Sequence, residues 1–280
     1  NWVDREEKID VVNPFNGQVF DTVPKSSTED VLEAITSAER GAKVMAKMSG
    51  FERYDLLMKA VSLMQERVDD LGKTITMEEG KVISEGIGEA QRAIQTMTGA
   101  AEEAKRLSGE VIPLDGAPTW TGQLGFTLRV PCGIVAAITP FNFPLNLVAH
   151  KVGPALAAGN AVIIKPASDT PLSALKLTEI LLEAGIPADA VQCLTGSGAA
   201  IGDALVGDSR VRKVTFTGSR DVGEHICQAA GLKKVTMELG SNSPLIVMPD
   251  ADIEKVVAGT VSSGFSNAGQ VCISAQRIIT

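Results

Sequence analysis

The chain has 280 residues, 44% of them hydrophobic and 21% charged, a composition that supports one large α/β unit or two smaller ones with a sizeable core. Its net charge of −8 and its scattered lysines and arginines exclude a basic nucleic-acid-binding face. No run approaches the roughly 18 apolar residues of a membrane span, and four cysteines without metal-ligand spacing favour a reducing, cytoplasmic setting without a metal site.

The first third of the chain is predicted to be helical. Ser27, followed by an acidic turn, is a helix cap, and its helix carries apolar residues at helical spacing. A second helix is expected over about 52–77, and a third, interrupted by glycines, over about 84–107. Short extended stretches within 110–130 then predict a hairpin or projecting arm.

From residue 132 onward, short apolar runs alternate with helical stretches. This alternation predicts parallel strands joined by right-handed crossovers, and the carboxyl ends of such strands form nucleotide sites. An apolar run at 245–248 and a helix from about 252 begin a new unit after Gly240. The predicted strands are 134–138, 161–164, 190–194, 211–216 and 233–238, and the predicted helices are about 145–158, 171–185, 198–206 and 219–230.

Three turns after these strands could contact a nucleotide. Gly218 and Ser219 end a strand and open a helix, where free N–H groups favour pyrophosphate, although a plain turn capped by Ser219 explains this short motif better on its own. Gly198 and Gly202 belong to a GxGxxxG segment, one residue off the dinucleotide fingerprint. Lys165 ends another strand, where it either reaches a ribose or phosphate or is simply solvated.

A thiol, a carboxylate and an amide stand at strand ends or in loops. Cys272 lies among small and polar residues, whereas the other three cysteines, Cys227 included, lie in strand or helix patterns typical of buried, inert thiols. Glu238 ends an apolar strand and Asn142 lies between two prolines, so each alone fits a cap or a turn. Together the three groups are those needed to form and hydrolyse a thioester.

With these features the chain resembles the aldehyde dehydrogenase superfamily from about residue 10 to residue 280. Its motif style is closest to the lactaldehyde and non-phosphorylating glyceraldehyde-3-phosphate branch. Five motifs in the family's order carry the resemblance and are together highly specific. They are ITPFNFPL at 138–145, IKPA at 164–167, FTGS at 216–219, MELG at 237–240 and GQVC at 269–272.

The resemblance implies the fold and its division. We expect an α/β protein with a Rossmann-like parallel sheet in a cofactor domain formed by 1–112 and 132–239. A β-hairpin oligomerisation arm over 113–131 would join a neighbour's sheet in a homodimer or homotetramer. The start of a second α/β catalytic domain would occupy 240–280. Because the family continues beyond this point, we expect these 280 residues to stop inside that domain and to be inactive by themselves.

The resemblance also implies a role for each matching residue. Cys272 is the expected nucleophile, Glu238 the general base, and Asn142 the side-chain amide of the oxyanion hole, acting with the backbone N–H of Cys272. NAD or NADP is the expected cofactor, and no metal is expected. The expected cofactor contacts are Lys165 at the ribose, Gly218 and Ser219 at the phosphates, and Thr139, Pro140, Phe141, Ser168, Gly198, Gly202, Phe216 and Leu239 around them.

Two residues bear on specificity. Ser168 replaces a glutamate that in many members binds both ribose hydroxyls, and because serine would not repel a 2′-phosphate, we expect NADP to be accepted or preferred. His150 stands where succinic semialdehyde dehydrogenases tend to carry arginine. The motif style favours a small hydroxylated or anionic aldehyde, such as lactaldehyde or glyceraldehyde-3-phosphate, with His150 near its polar end.

Other interpretations remain open from the sequence. One is a succinate-semialdehyde-type dehydrogenase, and another is a coenzyme A-acylating relative, which Glu238 opposes because such enzymes lack this base. A third is a nucleotide-binding scaffold with the same fold and no turnover. Neither a nucleic acid nor a membrane is an expected partner.

Overall fold

A parallel sheet with helices packed on it forms the body of the protein, which confirms the predicted α/β class. The computed structural model describes residues 2–242 and 244–280. Within these ranges, no helix has the length and apolar character needed to cross a bilayer.

The chain begins with an antiparallel hairpin that the sequence analysis missed. Its strands are β1 (Lys8–Asn13) and β2 (Gln18–Pro24). The turn includes Gly17 with a φ of 70°, a left-handed conformation that glycine adopts without a Cβ clash. The available signal was the pair Asn16-Gly17 between two β-rich runs, a common hairpin turn.

The first helix, α1 (Thr28–Met45), begins at the predicted Ser27 cap. The Ser27 hydroxyl accepts the N–H of Asp30 at 3.3 Å, and the Asp30 carboxylate accepts the N–H of Ser27 at 2.8 Å. This reciprocal capping box satisfies backbone donors that a helix N-terminus otherwise leaves without partners. The buried face of α1 packs against the central sheet.

The single helix predicted over 52–77 is wrong, because the structure has two helices there. Helix α2 (Gly50–Glu66) ends and α3 (Val68–Glu79) begins at Arg67, whose φ of −108° and ψ of 16° are not helical. The acidic residue Asp69 lies in the first turn of α3, where the helix dipole favours negative charge. That acidic turn was the sequence signal for a new helix start.

Helix α4 (Ile83–Ala104) continues through the glycines expected to interrupt it. At Gly86 a Cβ would lie 2.5 Å from the carbonyl oxygen of Gly72, so this glycine permits α3 and α4 to pack closely. A Cβ at Gly88 or Gly99 would meet nothing within 4 Å, so only Gly86 serves this packing, and none of the three glycines ends the helix.

The predicted arm is a short antiparallel hairpin of β3 (Val111–Ile112) and β4 (Gly125–Phe126). Leu124, just before β4, and Leu128, two residues after β4, are 77% and 73% exposed. The hairpin is confirmed, whereas its pairing with a neighbour's sheet stays a prediction.

The central sheet consists of five parallel strands, β5 (Ile134–Ile138), β6 (Ala161–Lys165), β7 (Val191–Cys193), β8 (Val211–Thr217) and β9 (Lys234–Glu238). Their order in the sheet is β7-β6-β5-β8-β9. The chain passes from β5 through β6 to β7 on one side and then crosses to β8 on the other side of β5. The strand order therefore reverses between β5 and β8, the usual place for a nucleotide crevice. The predicted elements are confirmed within a few residues, except that 198–202 form a π-type turn before a short helix. The helices between these strands are, in chain order, α5 (Asn146–Ala157), α6 (Leu172–Glu183), α7 (Asp203–Gly207) and α8 (Arg220–Ala230).

The hydrophobic core lies between this sheet and the helices. Every residue of β5 and β6 is buried, as are Leu145 and Leu156 at and within α5. Burying one such aliphatic side chain adds about 1.5–3 kcal/mol to the free energy of unfolding. The packing of α5 against β5 and β6 therefore holds the edge of the sheet in place.

After the central sheet, the chain forms β10 (Pro244–Ile246), α9 (Ile253–Phe265) and β11 (Arg277–Ile279). Strands β10 and β11 pair in parallel with each other in a separate two-stranded sheet. The expected domain boundary at Gly240 stays a prediction, although the change of sheet occurs there.

Candidate active site

The carboxyl edge of the central sheet gathers four of the predicted site residues. Lys165 ends β6 and Glu238 ends β9, while Asn142 follows β5 and Gly218 follows β8. Because all five strands run in parallel, these positions share one edge of the sheet. Cys272 reaches this edge from a different part of the chain.

The structure brings Asn142 to the loop that carries Cys272, here called the Cys272 loop (266–272). The side-chain amide Nδ2 of Asn142 donates to the carbonyl oxygen of Gln270 at 2.7 Å, and Cys272 itself is exposed. An amide nitrogen has two N–H groups, so one remains to donate to a developing oxyanion. An exposed thiol and an aimed amide donor are the first two parts of a thioester-forming site.

The Cys272 loop has a constrained backbone. Asn267 and Ala268 have φ values of 47° and 54°, a region that non-glycine residues rarely adopt. Asn267 is buried, and its Nδ2 donates to Glu79 Oε1 at 2.8 Å and to the carbonyl oxygen of Asn142 at 3.4 Å. These bonds hold the left-handed turn and join the loop to the segment after β5. The sequence analysis missed both Asn267 and Glu79.

Glu238 is exposed at the end of β9, and its carbonyl oxygen accepts the N–H of Gly218 at 3.1 Å. A lysine that the sequence analysis missed lies nearby: Lys151 of α5 donates from Nζ to Thr217 Oγ1 at 2.7 Å. Burial lowers the pKa of Lys151 to about 8, and the Glu238 carboxylate opposes that shift. The signal was a lysine at a position of α5 otherwise lined by buried apolar residues.

His150 is an exposed residue of α5 that faces α4. Its Nε2 lies 3.5 Å from Thr96 Oγ1, and that hydroxyl also donates to Asn146 Oδ1 at 2.9 Å. Burial lowers the pKa of His150, and the positive charge of Arg92 lowers it further. The lowered pKa favours the neutral imidazole, and Arg92 is a nearby positive charge that the sequence analysis missed.

The other cysteines differ from Cys272 in their surroundings. Cys193 is half-buried, and burial of its thiol raises its pKa to about 12. Cys132 donates from Sγ to Asn160 Oδ1 at 3.2 Å. Cys227 is exposed on α8, so the expectation that it is buried is wrong, because its helix turns that position outward.

The expected ribose contacts meet at the turn after β7. Lys165 Nζ donates to the carbonyl oxygens of Pro166 at 2.8 Å and Gly196 at 2.9 Å, and Ser168 Oγ donates to the same Gly196 oxygen at 3.2 Å. Burial lowers the pKa of Lys165. A Cβ at Gly198 would lie 3.9 Å from Lys165 Cε, so this backbone passes close to the lysine.

The turn after β8 has the features of a phosphate cradle. A Cβ at Gly218 would collide with the ring of Phe216, so the turn requires glycine. Ser219 caps α8, accepting the N–H of Val222 at 3.5 Å, and α8 presents its N-terminus to this edge. The residues present therefore fit the pyrophosphate of a dinucleotide.

The remaining expected cofactor contacts lie around the same edge. Thr139 is buried after β5, where its N–H donates to the Lys165 carbonyl oxygen at 3.1 Å, and its hydroxyl has no partner among the described residues. Leu239 follows β9 and packs against Gly223 of α8, where a Cβ would lie 2.7 Å from the leucine. Pro140 is half-buried, Phe141 is exposed and Gly202 is buried in the π-type turn.

Proteins of similar sequence and fold are known. A model of the aldehyde dehydrogenase family matches residues 2–280. A 3-sulfolactaldehyde dehydrogenase from Priestia aryabhattai is 48% identical over 277 residues, which are 99% of this chain and 58% of that protein. A lactaldehyde dehydrogenase from Methanococcus aeolicus is 41% identical over 282 residues, covering 99% of this chain and 59% of that protein.

Solved structures show the same likeness. The crystal structure of glyceraldehyde-3-phosphate dehydrogenase GapN from Methanocaldococcus jannaschii, complexed with NADP, matches with a TM-score of 0.92 at 40% identity. The match covers 99% of this chain and 60% of that one. The chain thus spans less than two thirds of the length of these relatives.

Proposed function

This chain belongs to the aldehyde dehydrogenase family, and from that membership we propose that the full-length protein oxidises an aldehyde to a carboxylic acid with NADP or NAD. The observation that carries the proposal is the hydrogen bond from the Asn142 amide to the Gln270 carbonyl oxygen, at 2.7 Å, beside the exposed Cys272. This hydrogen bond supports the assignment of the Asn142 amide as the oxyanion donor for the candidate nucleophile.

The proposed chemistry has two stages. The Cys272 thiolate attacks the aldehyde carbon, and the carbonyl oxygen becomes an oxyanion that receives hydrogen bonds from the Asn142 amide and the Cys272 N–H. One such donor contributes about 3 kcal/mol of transition-state stabilisation. When bound, the cofactor supplies a hydride acceptor, and loss of hydride leaves a thioester on Cys272. Glu238 then takes a proton from water, whose oxygen attacks the thioester carbon. The C–S bond breaks, which frees the Cys272 thiolate and releases the acid.

We propose a small hydroxylated or anionic aldehyde as the substrate. His150 and Arg92 are both exposed, and the positive charge of Arg92 lowers the pKa of His150. A guanidinium binds sulfonate, phosphate or carboxylate through paired hydrogen bonds, while a neutral imidazole suits a hydroxyl group. The relatives named for lactaldehyde and 3-sulfolactaldehyde support this class. Succinate semialdehyde is the alternative, since its carboxylate would suit the same arginine.

We propose NADP as an accepted and preferred cofactor. Ser168 hydrogen-bonds the turn after β7 together with Lys165, so the edge that faces the ribose carries a hydroxyl and a cation and no carboxylate from this position. A 2′-phosphate would find a positive partner there. The GapN structure that matches this chain is complexed with NADP.

We further propose a cytoplasmic homo-oligomer assembled through the arm. The free cysteines suit a reducing compartment, and the exposed leucines Leu124 and Leu128 need a covering surface in solution. Light scattering of Leu124→Asp/Leu128→Asp should report smaller particles than the wild type. Phe15→Asp, at an exposed residue of the turn between β1 and β2, is the control. Equal masses for all three proteins would contradict the arm's role.

The activity is tested by reduction of NADP with lactaldehyde, glyceraldehyde-3-phosphate, 3-sulfolactaldehyde and succinate semialdehyde. Cys272→Ala should abolish turnover, whereas Cys227→Ala, at an exposed cysteine of α8, should keep it. Addition of coenzyme A should not raise the rate, because the proposed product is the free acid. Turnover by Cys272→Ala, or none by the wild-type protein, would refute the proposal in favour of another nucleophile or a scaffold.

A further inference from the structure

A buried ion pair lies behind the candidate oxyanion hole. Lys81, just before α4, and Glu89, within α4, are 2.6 Å apart, and both side chains are only 2% exposed. Removing two charges from water costs several kcal/mol per ion unless further hydrogen bonds satisfy them. The contacts of this pair therefore indicate what it maintains.

Both members of the pair hold the segment 142–146. Lys81 Nζ donates to the carbonyl oxygen of Asn142 and lies 3.7 Å from the ring centre of Phe143. Glu89 Oε1 accepts the N–H groups of Leu145 and Asn146, each at 3.0 Å, at the start of α5. The pair thus fixes the backbone of the residue that carries the oxyanion amide and the helix that follows it.

Asn142 also contacts the Cys272 loop. The Asn142 carbonyl oxygen, which receives Lys81, also accepts Asn267 Nδ2 at 3.4 Å, while the Asn142 amide donates to Gln270. A rotation of the peptide at Asn142 would therefore move the amide and loosen the loop together. Because the lysine and glutamate charges cancel, the pair adds no net charge behind the developing oxyanion.

We propose that Lys81 and Glu89 are positioning residues that set the direction of the Asn142 amide toward the oxygen of the substrate. Neither residue touches the substrate, so they act on the rate of thioester formation through Asn142. This inference rests on the proposed function, in which Cys272 is acylated.

The test measures acylation alone, without cofactor, in the full-length protein. With p-nitrophenyl acetate, the Cys272 thiolate forms the C–S bond, the tetrahedral oxyanion collapses, p-nitrophenolate leaves, and an acetyl thioester remains. With the protein in excess over the ester, the rate of p-nitrophenolate release, here called the burst rate, reports acylation even where Glu238 then hydrolyses the thioester, and it therefore measures oxyanion stabilisation. The variant is Lys81→Met/Glu89→Gln, which is neutral and keeps an acceptor oxygen for the start of α5.

We expect the double variant to lower the burst rate about 100-fold, as misplacement by about 1 Å does. In an Asn142→Ala background, the same two substitutions should change the rate by no more than about twofold, because their effect depends on the amide. The matched control is Glu78→Gln, whose carboxylate accepts the N–H groups of Leu172 and Ser173 at the start of α6 but does not contact Asn142. Its burst rate should equal that of the wild type.

A wild-type burst rate in the folded double variant, or an equal loss with and without Asn142, would overturn the positioning role. If the double variant does not fold, Lys81→Arg is the second variant, because its forked head keeps the charge but alters the bond to Asn142. We expect it to lose roughly tenfold in burst rate with an unchanged melting temperature. An unchanged burst rate overturns the inference. No burst in the wild-type protein would instead refute the proposed function.

Discussion

Glu78 makes the stability of this protein depend on pH in a way that can be calculated. It lies at the end of α3, where it is buried and accepts the N–H groups of Leu172 at 2.7 Å and Ser173 at 2.9 Å. Burial raises its pKa from 4.5 to about 7, while the hydrogen bonds from Ser173 and Leu172 oppose that shift. Between these two values, the folded protein keeps a proton that the unfolded chain has lost.

The sign follows from this difference in bound protons. As the pH rises from about 4.5 to about 7, the unfolded state gains relative to the folded state, so the Glu78 contribution to the free energy of unfolding falls. A pKa shift from 4.5 to about 7 lowers the free energy of unfolding by about 3 kcal/mol, and nearly all of this loss is present above the folded pKa. Glu78→Gln removes this titration and keeps one acceptor oxygen for the α6 donors.

Urea unfolding of the wild type and Glu78→Gln over this pH range measures the effect. The stability of the variant relative to the wild type should rise by about 3 kcal/mol from acid to mildly basic pH. Glu85→Gln, at an exposed residue of α4, supplies the baseline for removing a carboxylate. A difference between the Glu78 variant and the wild type that stays constant with pH would refute the reasoning.

Three further substitutions test the cofactor and substrate contacts. Gly218→Ala places a methyl group against Phe216 and should weaken NADP binding about tenfold by fluorescence titration, while Gly207→Ala, where a Cβ meets open space, should bind as the wild type does. Ser168→Glu should lower kcat/KM for NADP relative to NAD about tenfold through repulsion of the 2′-phosphate, and an unchanged ratio would contradict the ribose-edge assignment. Arg92→Ala should raise KM about tenfold for 3-sulfolactaldehyde and leave lactaldehyde unaffected, and equal changes for both would remove its anion-binding role.

The sequence predicted the sheet and the strand-end residues because short apolar runs and turn residues are local signals. Asn142, Lys165 and Glu238 follow or end such runs, so the parallel topology alone places them on one edge. The hairpin of β1 and β2 was missed although its Asn16-Gly17 turn is also a local signal.

The residues that support the site were not predictable in this way. Lys81 meets Asn142 across 61 positions of sequence, and Asn267 meets Glu79 across 188. Each of these side chains is unremarkable in its own segment, and only the packing of α3, α4 and the Cys272 loop against the sheet brings the partners together. Lys151 could be predicted in part. The sequence pattern indicates its place on the apolar face of α5, but it does not indicate its partner Thr217.

The central claim is that Cys272 forms a thioester that Glu238 hydrolyses, and intact mass measurement of Glu238→Gln tests it most directly. After incubation of the full-length variant with NADP and the aldehyde, the account predicts a stable mass increase of one acyl group, located on the peptide that contains Cys272. The wild-type protein should show no lasting increase, because Glu238 releases the acid. An adduct on Cys227 or Cys193, or an unmodified Glu238→Gln variant that still reduces NADP at the wild-type rate, would contradict the account.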